Sequence, residues 1–242
     1  HFAGNGFPTV RDEEWKYTNV APIASLDWKL ASAEQAVSDA ASVDFERDIF
    51  GEIEGGNRIV FVDGIFSELL SRMPEGIQVL PFDDAYEDEQ FRASFAKIVD
   101  PELNGFTALN TAFAGEGVYL RAEKNAKVEE AVNLVFIGLA ETAGFPRVVY
   151  VGEEGSEAEI VEHYLRAEET VYLSNAFFEV SLGDNASLVH TRVQRESHSA
   201  FHIVTSQAEL GHASGYDKTN IRLGGRPTRT EHGIGYNAEG GE

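Results

Sequence analysis

Across residues 117–239 the chain writes one short run of alternating apolar and polar residues after another, each closed by a turn of Gly, Asn, Asp or Glu. Such a pattern confines the fold to sheet architectures. Three segments share a turn-plus-strand signature: Asn125-Ala126-Lys127-Val128, Glu157-Ala158-Glu159-Ile160 and Asn185-Ala186-Ser187-Leu188 each place Ala two residues before a branched apolar residue. The three Ala positions lie 32 and 28 residues apart, and weaker echoes at Ala213 and Ala238 follow after 27 and 25. Intervals of that size suit one coil of a β-solenoid, in which each coil buries its inward face on the next. An antiparallel sandwich or barrel also yields short strands at regular spacing, so the repeat alone leaves both architectures open.

Within this region the alternation predicts strands over residues 118–120, 132–137, 147–151, 159–165, 171–182, 187–194, 201–210 and 217–223. Period two is clear in Phe178-Glu179-Val180-Ser181-Leu182, whereas the unbroken apolar run 134–137 points to a strand covered on both faces. The preceding part is mixed. Residues 1–8 read as an extended lead-in, and Thr9-Val10-Arg11-Asp12 as a helix start, with Thr9 accepting from the backbone and Asp12, Glu13 and Glu14 at the positive end of the dipole. That helix carries Trp15 and ends at Asn19 and Pro22. One or two helices follow over residues 31–50, then a strand at 58–62, a tight Asp63-Gly64 turn into Ile65-Phe66, and a third strand at 77–80, together a small sheet capped by helices. Helical spacing recurs in Phe91, Phe95 and Ile98, preceded by a solvated acidic run, and in Phe106, Leu109 and Phe113, stopped by Gly115 and Gly117. The organisation expected is a small α+β domain over residues 1–114 and a β-region over 115–242.

The chain has 242 residues, 43% of them hydrophobic, enough for one large core or two modest ones. Acidic residues outnumber basic ones by 41 to 19, a formal charge of -22 that repels phosphate backbones and argues against nucleic-acid binding. No apolar run approaches the ~18 residues a membrane span requires, and no signal-peptide pattern opens the sequence, so no membrane association and a cytoplasmic location are expected. The sequence starts at His1 rather than Met, which leaves a preceding segment open. Cysteine is absent, excluding disulfides, a thiol nucleophile and any Cys-ligated metal cluster held by these residues alone.

Candidate chemistry is sparse. His198 and His202 are four apart, as in a helical zinc pair, but Phe201-His202-Ile203-Val204-Thr205 reads as a strand, where four residues span ~13 Å. Glu162-His163 and Val189-His190 sit at comparable places in successive repeats, which makes a ladder of stacked polar side chains conceivable; separate surface or satisfied core histidines are the commoner case. No Gly-x-Ser-x-Gly elbow, His-Glu-x-x-His or phosphate loop with its Lys is present. Gly224-Gly225-Arg226 is a tight corner whose glycines suit positive φ and whose Arg could clamp an anion. Asn185-Ala186-Ser187 fits a glycosylation sequon, a pattern common by chance. No residue is assigned a catalytic, cofactor-binding or metal role, and Trp15, Gly224, Gly225 and Arg226 remain as structural or interface candidates.

Several blocks together resemble a known family: Phe7-Pro8-Thr9-Val10-Arg11-Asp12-Glu13-Glu14-Trp15-Lys16-Tyr17-Thr18, Ala108-Leu109-Asn110-Thr111-Ala112-Phe113-Ala114, residues 190–195, Phe201-His202-Ile203, and Leu223-Gly224-Gly225-Arg226. They are similar, in order along the chain, to the SufB/SufD family of iron-sulfur cluster assembly proteins, and more to SufD than to SufB. The resemblance implies a mainly β fold, a right-handed parallel β-helix behind the N-terminal domain, and a non-enzymatic scaffold that pairs with a SufB-like subunit and a SufC-like ABC ATPase. A nascent iron-sulfur cluster is implied at the full complex and no cofactor on these residues. Family members continue past Glu242 into further β-helix and a helical domain that carries the ATPase-docking and cluster-site residues, so none of those sites transfers here. An unpaired last rung is expected to drive homo-oligomerisation. From a different class, a secreted pectate-lyase-like β-helix enzyme would use acids and Arg226 to bind Ca²⁺ and sugar acids; within the family, a SufB-like subunit is the alternative.

Overall fold

The chain is fed alternately into two sheets. In the computed structural model, which describes residues 2–53, 55–224 and 228–236, the strands in chain order are β1 (Lys29–Leu30), β2 (Arg58–Val62), β3 (Ile65–Arg72), β4 (Gln78–Pro81), β5 (Val118–Ala122), β6 (Val132–Gly138), β7 (Thr142–Gly144), β8 (Arg147–Gly152), β9 (Glu157–Arg166), β10 (Leu173–Leu182), β11 (Ser187–Arg195), β12 (Phe201–Leu210), β13 (Gly215–Arg222) and β14 (Thr228–Tyr236). One sheet stacks β5, β8, β10, β12 and β14 in parallel. The other stacks β2, β6, β9, β11 and β13 in parallel. One strand from each sheet makes a coil, and about 4 turns form a parallel β-solenoid behind a small N-terminal region. The architecture expected from the repeat interval is therefore the one adopted, and the sandwich is not.

Register refines the repeat. Lys127 bridges to Glu157, Glu157 pairs with Ser187, and Ser187 with Gly215, so the coils run at intervals of 30, 30 and 28 residues. The counterpart of Asn125-Ala126 and Asn185-Ala186 is thus Gly155-Ser156, and the Glu157-Ala158 alignment read from the sequence is two residues out of phase. A slip of two preserves the alternation of faces, which is why pattern alone could not detect it. What the turns share is conformation. Asn125, Gly155, Asn185 and Ala213 have φ of 59°, 68°, 57° and 51°, and the next residue donates its N–H across the turn to Glu123, Glu153, Gly183 or Gly211. Ala238 lies outside the described residues.

The first coil is closed by antiparallel strands. Asp63 and Gly64, at φ 50° and 86°, turn β3 back onto β2, and β4 runs against β5. The strands that the sequence suggested as one small sheet are therefore divided between the two sheets of the solenoid, and alternation carries no information on which sheet a strand joins. At the far end, β13 and β14 each have a partner on one side only among the described strands.

Helices cover the outer faces. Ala36 and Phe45, on the helices Ala33–Ala40 and Phe45–Asp48, pack with Val60, Val135, Ile137 and Leu165. Asp88, from the acidic run, caps the helix Glu89–Ser94 by accepting from Gln90 and Phe91 N–H groups. Asn104 and Thr107 form a capping box for the helix Gly105–Ala112. The same helix is latched to the sheet by Asn110, whose Nδ2 donates to the carbonyls of Pro146 at 3.2 Å and Asn175 at 2.8 Å. Beside it Arg147 Nη2 meets Glu179 Oε1 at 2.5 Å with neither side chain exposed, and Arg147 Nη1 donates to Thr111 at 3.0 Å. The helix expected at Thr9 contracts to a 3-10 turn, Glu13–Trp15, because the cap is reversed: Asp12 Oδ2 accepts from the Thr9 N–H at 2.6 Å and closes a tight turn.

Removing one member of a buried ion pair strands the other charge, at a cost of about 3–5 kcal/mol, whereas an apolar replacement of both is far milder. Arg147→Met is expected to lower the urea-unfolding free energy by that amount, and Arg147→Met with Glu179→Leu to recover most of it. Equal losses in both variants would show that the pair does not secure the helix.

Candidate functional site

Parallel register lines up inward side chains in columns. Along the sheet of β6, β9, β11 and β13 these read Val132, Ile160, His190, Lys218; then Leu134, Glu162, Arg192, Asn220; then Phe136, Tyr164, Gln194, Arg222. On the facing sheet Val118, Val148, Phe178, Ser206 and His232 form one column. The interior is apolar in the first coils and becomes ionic towards β13 and β14.

Glu162, 1% exposed, is the hub of the ionic part. Its Oε1 accepts from Arg192 Nη2 at 2.6 Å and Nε at 3.1 Å, lies 2.5 Å from His190 Nε2, and takes Lys218 Nζ at 3.3 Å. Oε2 accepts from the Tyr164 hydroxyl at 2.8 Å. Burial by itself would raise this carboxyl, but Arg192, then Lys218 and His190, hold it well below the usual 4.5. Burial, reinforced by Lys218, pushes His190 down to about 3. A neutral His190 that donates from Nε2 to Glu162 leaves Nδ1 to accept from the Tyr216 hydroxyl at 2.9 Å or the Lys218 ammonium at 3.0 Å. Burial and then Arg192 bring Lys218 down to about 7. The arrangement fixes charge and register inside the solenoid.

A second buried group adjoins the first. Gln194 Nε2 donates to Glu196 Oε2 at 2.9 Å, His202 Nδ1 lies 2.9 Å from the same oxygen, and the Tyr164 ring meets His202 edge-on at 4.5 Å. Among the described residues no three His, Asp or Glu side chains gather as a metal-holding group.

The residues singled out in the sequence fall in several places. Trp15 is buried, stacks on Phe106 at 5.2 Å and lies 4.1 Å beneath the Arg229 guanidinium, so it ties the N-terminal turn to β14. Gly224 is needed for close approach, since a Cβ there would stand 2.8 Å from the Glu196 carbonyl oxygen, and its φ is not positive. Gly225 and Arg226 lie outside the described residues. His198 is exposed, its backbone N–H bonded to Glu169, while His202 is buried. Of the residues in Glu162-His163 and Val189-His190, Glu162 and His190 do meet, but His163 turns to Asn133 Oδ1 at 2.9 Å instead. Tyr164, Arg192, Lys218 and Tyr216 escaped the sequence reading. The signal was present: polar residues occupy alternate positions in Glu162-His163-Tyr164 and His190-Thr191-Arg192-Val193-Gln194, and Lys218 follows His190 by one coil.

In the unfolded chain His190 takes a proton near 6.5, and in the fold only near 3. Between those values the unfolded state binds more protons, so stability falls as pH drops through the window, and falls further below 4.5 as Glu162 meets its own lowered pKa. Urea midpoints are expected to decline from pH 6.5 to pH 4 in the parent chain and to decline less in His190→Gln. Parallel declines in the two would contradict the buried neutral imidazole.

A family model described as the SUF system FeS cluster assembly SufBD core domain matches residues 135–242, and one for the SufBD protein N-terminal region matches 1–134. An iron-sulfur cluster assembly SufBD family protein of Synechocystis sp. is 26% identical over 92% of this chain and 51% of its own length. The iron-sulfur cluster assembly protein SufD of Escherichia coli is 24% identical over 97% of this chain and 53% of its own. A SufBD family protein of Staphylococcus epidermidis is 26% identical over 58% and 31%. The chain spans about half the length of the first two relatives. These likenesses do not favour the carbohydrate-active alternative. With both models matching end to end over a capped parallel solenoid, the chain belongs to the SufBD family of iron-sulfur cluster assembly proteins.

Proposed function

We propose that the chain is part of a non-catalytic scaffold subunit of a SUF complex, pairing in the cytoplasm with a SufB-like subunit and a SufC-like ABC ATPase. The observation that carries the reading is the pair of consecutive SufBD matches laid over cap and solenoid. A SufD-like rather than SufB-like role is supported by the absence of Cys from all 242 residues, which leaves no thiolate here for a cluster. The nascent cluster is then cargo of the complex. ATP hydrolysis falls to the ATPase, in keeping with the lack of a phosphate loop with its Lys in this sequence. Among the described strands β13 and β14 have no partner on their outer sides, which supports self-association of the chain by strand addition.

The test is co-expression of the full-length gene with the SufB-like and SufC-like proteins of the same organism, followed by affinity purification through a tag on this subunit. A stable complex with both is expected. Failure to retain either one would overturn the scaffold reading. For the 242-residue chain, sedimentation velocity is expected to show a concentration-dependent dimer or larger species, and a strict monomer at high concentration would contradict edge pairing.

A further inference from the structure

We propose that the inward-facing Arg192, Lys218 and Arg222 at the β13/β14 end of the solenoid form a binding site for a small inorganic oxyanion of phosphate or sulfate size. The chain carries a formal charge of -22, yet Arg192 and Lys218, neighbours in the stack, share the one carboxylate Glu162. Arg192 and Lys218 converge on the same two acceptors: Glu162 Oε1, at 2.6 and 3.3 Å, and Ser206 Oγ, at 3.0 and 3.3 Å. A single carboxylate oxygen cannot neutralise both. Arg192 is 3% exposed, and its Nη1 is buried without a hydrogen-bond partner. A guanidinium nitrogen left in that state is costly, and an anion is the group that would satisfy it.

The next layer out supplies further donors. Asn220 follows Arg192 in its column, and Asn220 Nδ2 lies 3.1 Å from His232 Nε2. Arg222 Nη2 donates to Thr230 Oγ1 at 2.6 Å. These contacts bridge the two sheets at side chains that are exposed or half-buried in this chain. The positive field acts on both imidazoles. Burial, with Lys218 the next contributor for each, depresses His190 to about 3 and His232 to about 4. Size follows from the walls. Lys218 Nζ stands 5.5 Å from the Phe178 ring centroid, and Tyr216 adjoins His190. Sheets packed about 10 Å apart limit any ligand held between their side chains to a few heavy atoms and exclude a nucleotide. This inference stands on the solenoid's geometry and is independent of the scaffold role.

The test is calorimetric titration of the chain with inorganic phosphate at fixed ionic strength, with sodium chloride as the control anion. Saturable binding of one phosphate per chain is expected. Lys218→Gln and Arg222→Gln should each weaken it about tenfold, the loss of one charge-assisted hydrogen bond, while Lys124→Gln, an exposed control, leaves it unchanged. Circular dichroism of each variant establishes that it remains folded. No saturable heat, equal heats with chloride, or the same affinity in both folded site variants would overturn the proposal.

Discussion

The constraint on which the rest of the structure depends is the parallel hydrogen-bond ladder between coils. Once Ser187 is paired with Glu157 and Gly215 with Ser187, each inward side chain has a fixed neighbour one coil before and one coil after. The positive-φ turns at Asn125, Gly155, Asn185 and Ala213 hold that register from outside the sheets, because each turn N–H bonds to the corresponding turn of the next coil where one follows. A slip of one residue would turn Glu162, Arg192 and Lys218 outwards and bring Glu159, Val161 and Asp217 in. Side-chain chemistry in the interior is thus a consequence of backbone register.

Along the stack the nature of the core changes. The first coils are joined by Val132, Leu134, Phe136, Val118 and Val148 and are closed by β3 and β4, so their stability comes from apolar burial and from paired edges. The later coils are joined through Glu162, His190, Arg192 and Lys218, a network whose gain in specificity is offset by desolvation. The N-terminal segment reaches across to this end, with Trp15 under Arg229 and Asn104 Nδ2 donating to Glu231. That arrangement leaves one end of the solenoid sealed and the other rich in donors. For a subunit proposed to present a surface to partners, it places the adaptable chemistry at the β13/β14 end.

Much of this was legible in the sequence. The strand runs, the Asp63-Gly64 turn, the helix at Phe106 and the coil interval all follow from local rules, since turn chemistry and period-two alternation act within a few residues. The phase of the repeat was not, because Ser156 and Ala158 are both small and share a face. Nor was the membership of β2, β3 and β4, since alternation says nothing about which strand lies alongside. The site was half visible: Glu162 and His190 stood out as a possible ladder, but Arg192 and Lys218 acquire meaning only when a coil of 28 residues sets Lys218 on His190. Gly224 was recognised as a constrained glycine for the wrong reason, since its constraint is the Glu196 carbonyl.

The central claim is that register buries a neutral His190 against the ionised Glu162. It is tested most directly by the ¹⁵N chemical shifts of the His190 ring in a histidine-labelled sample at pH 5. The account predicts a neutral ring protonated at Nε2, at a pH where exposed histidines are cations. An imidazolium at that pH, titrating with an ordinary pKa near 6.5, would contradict it.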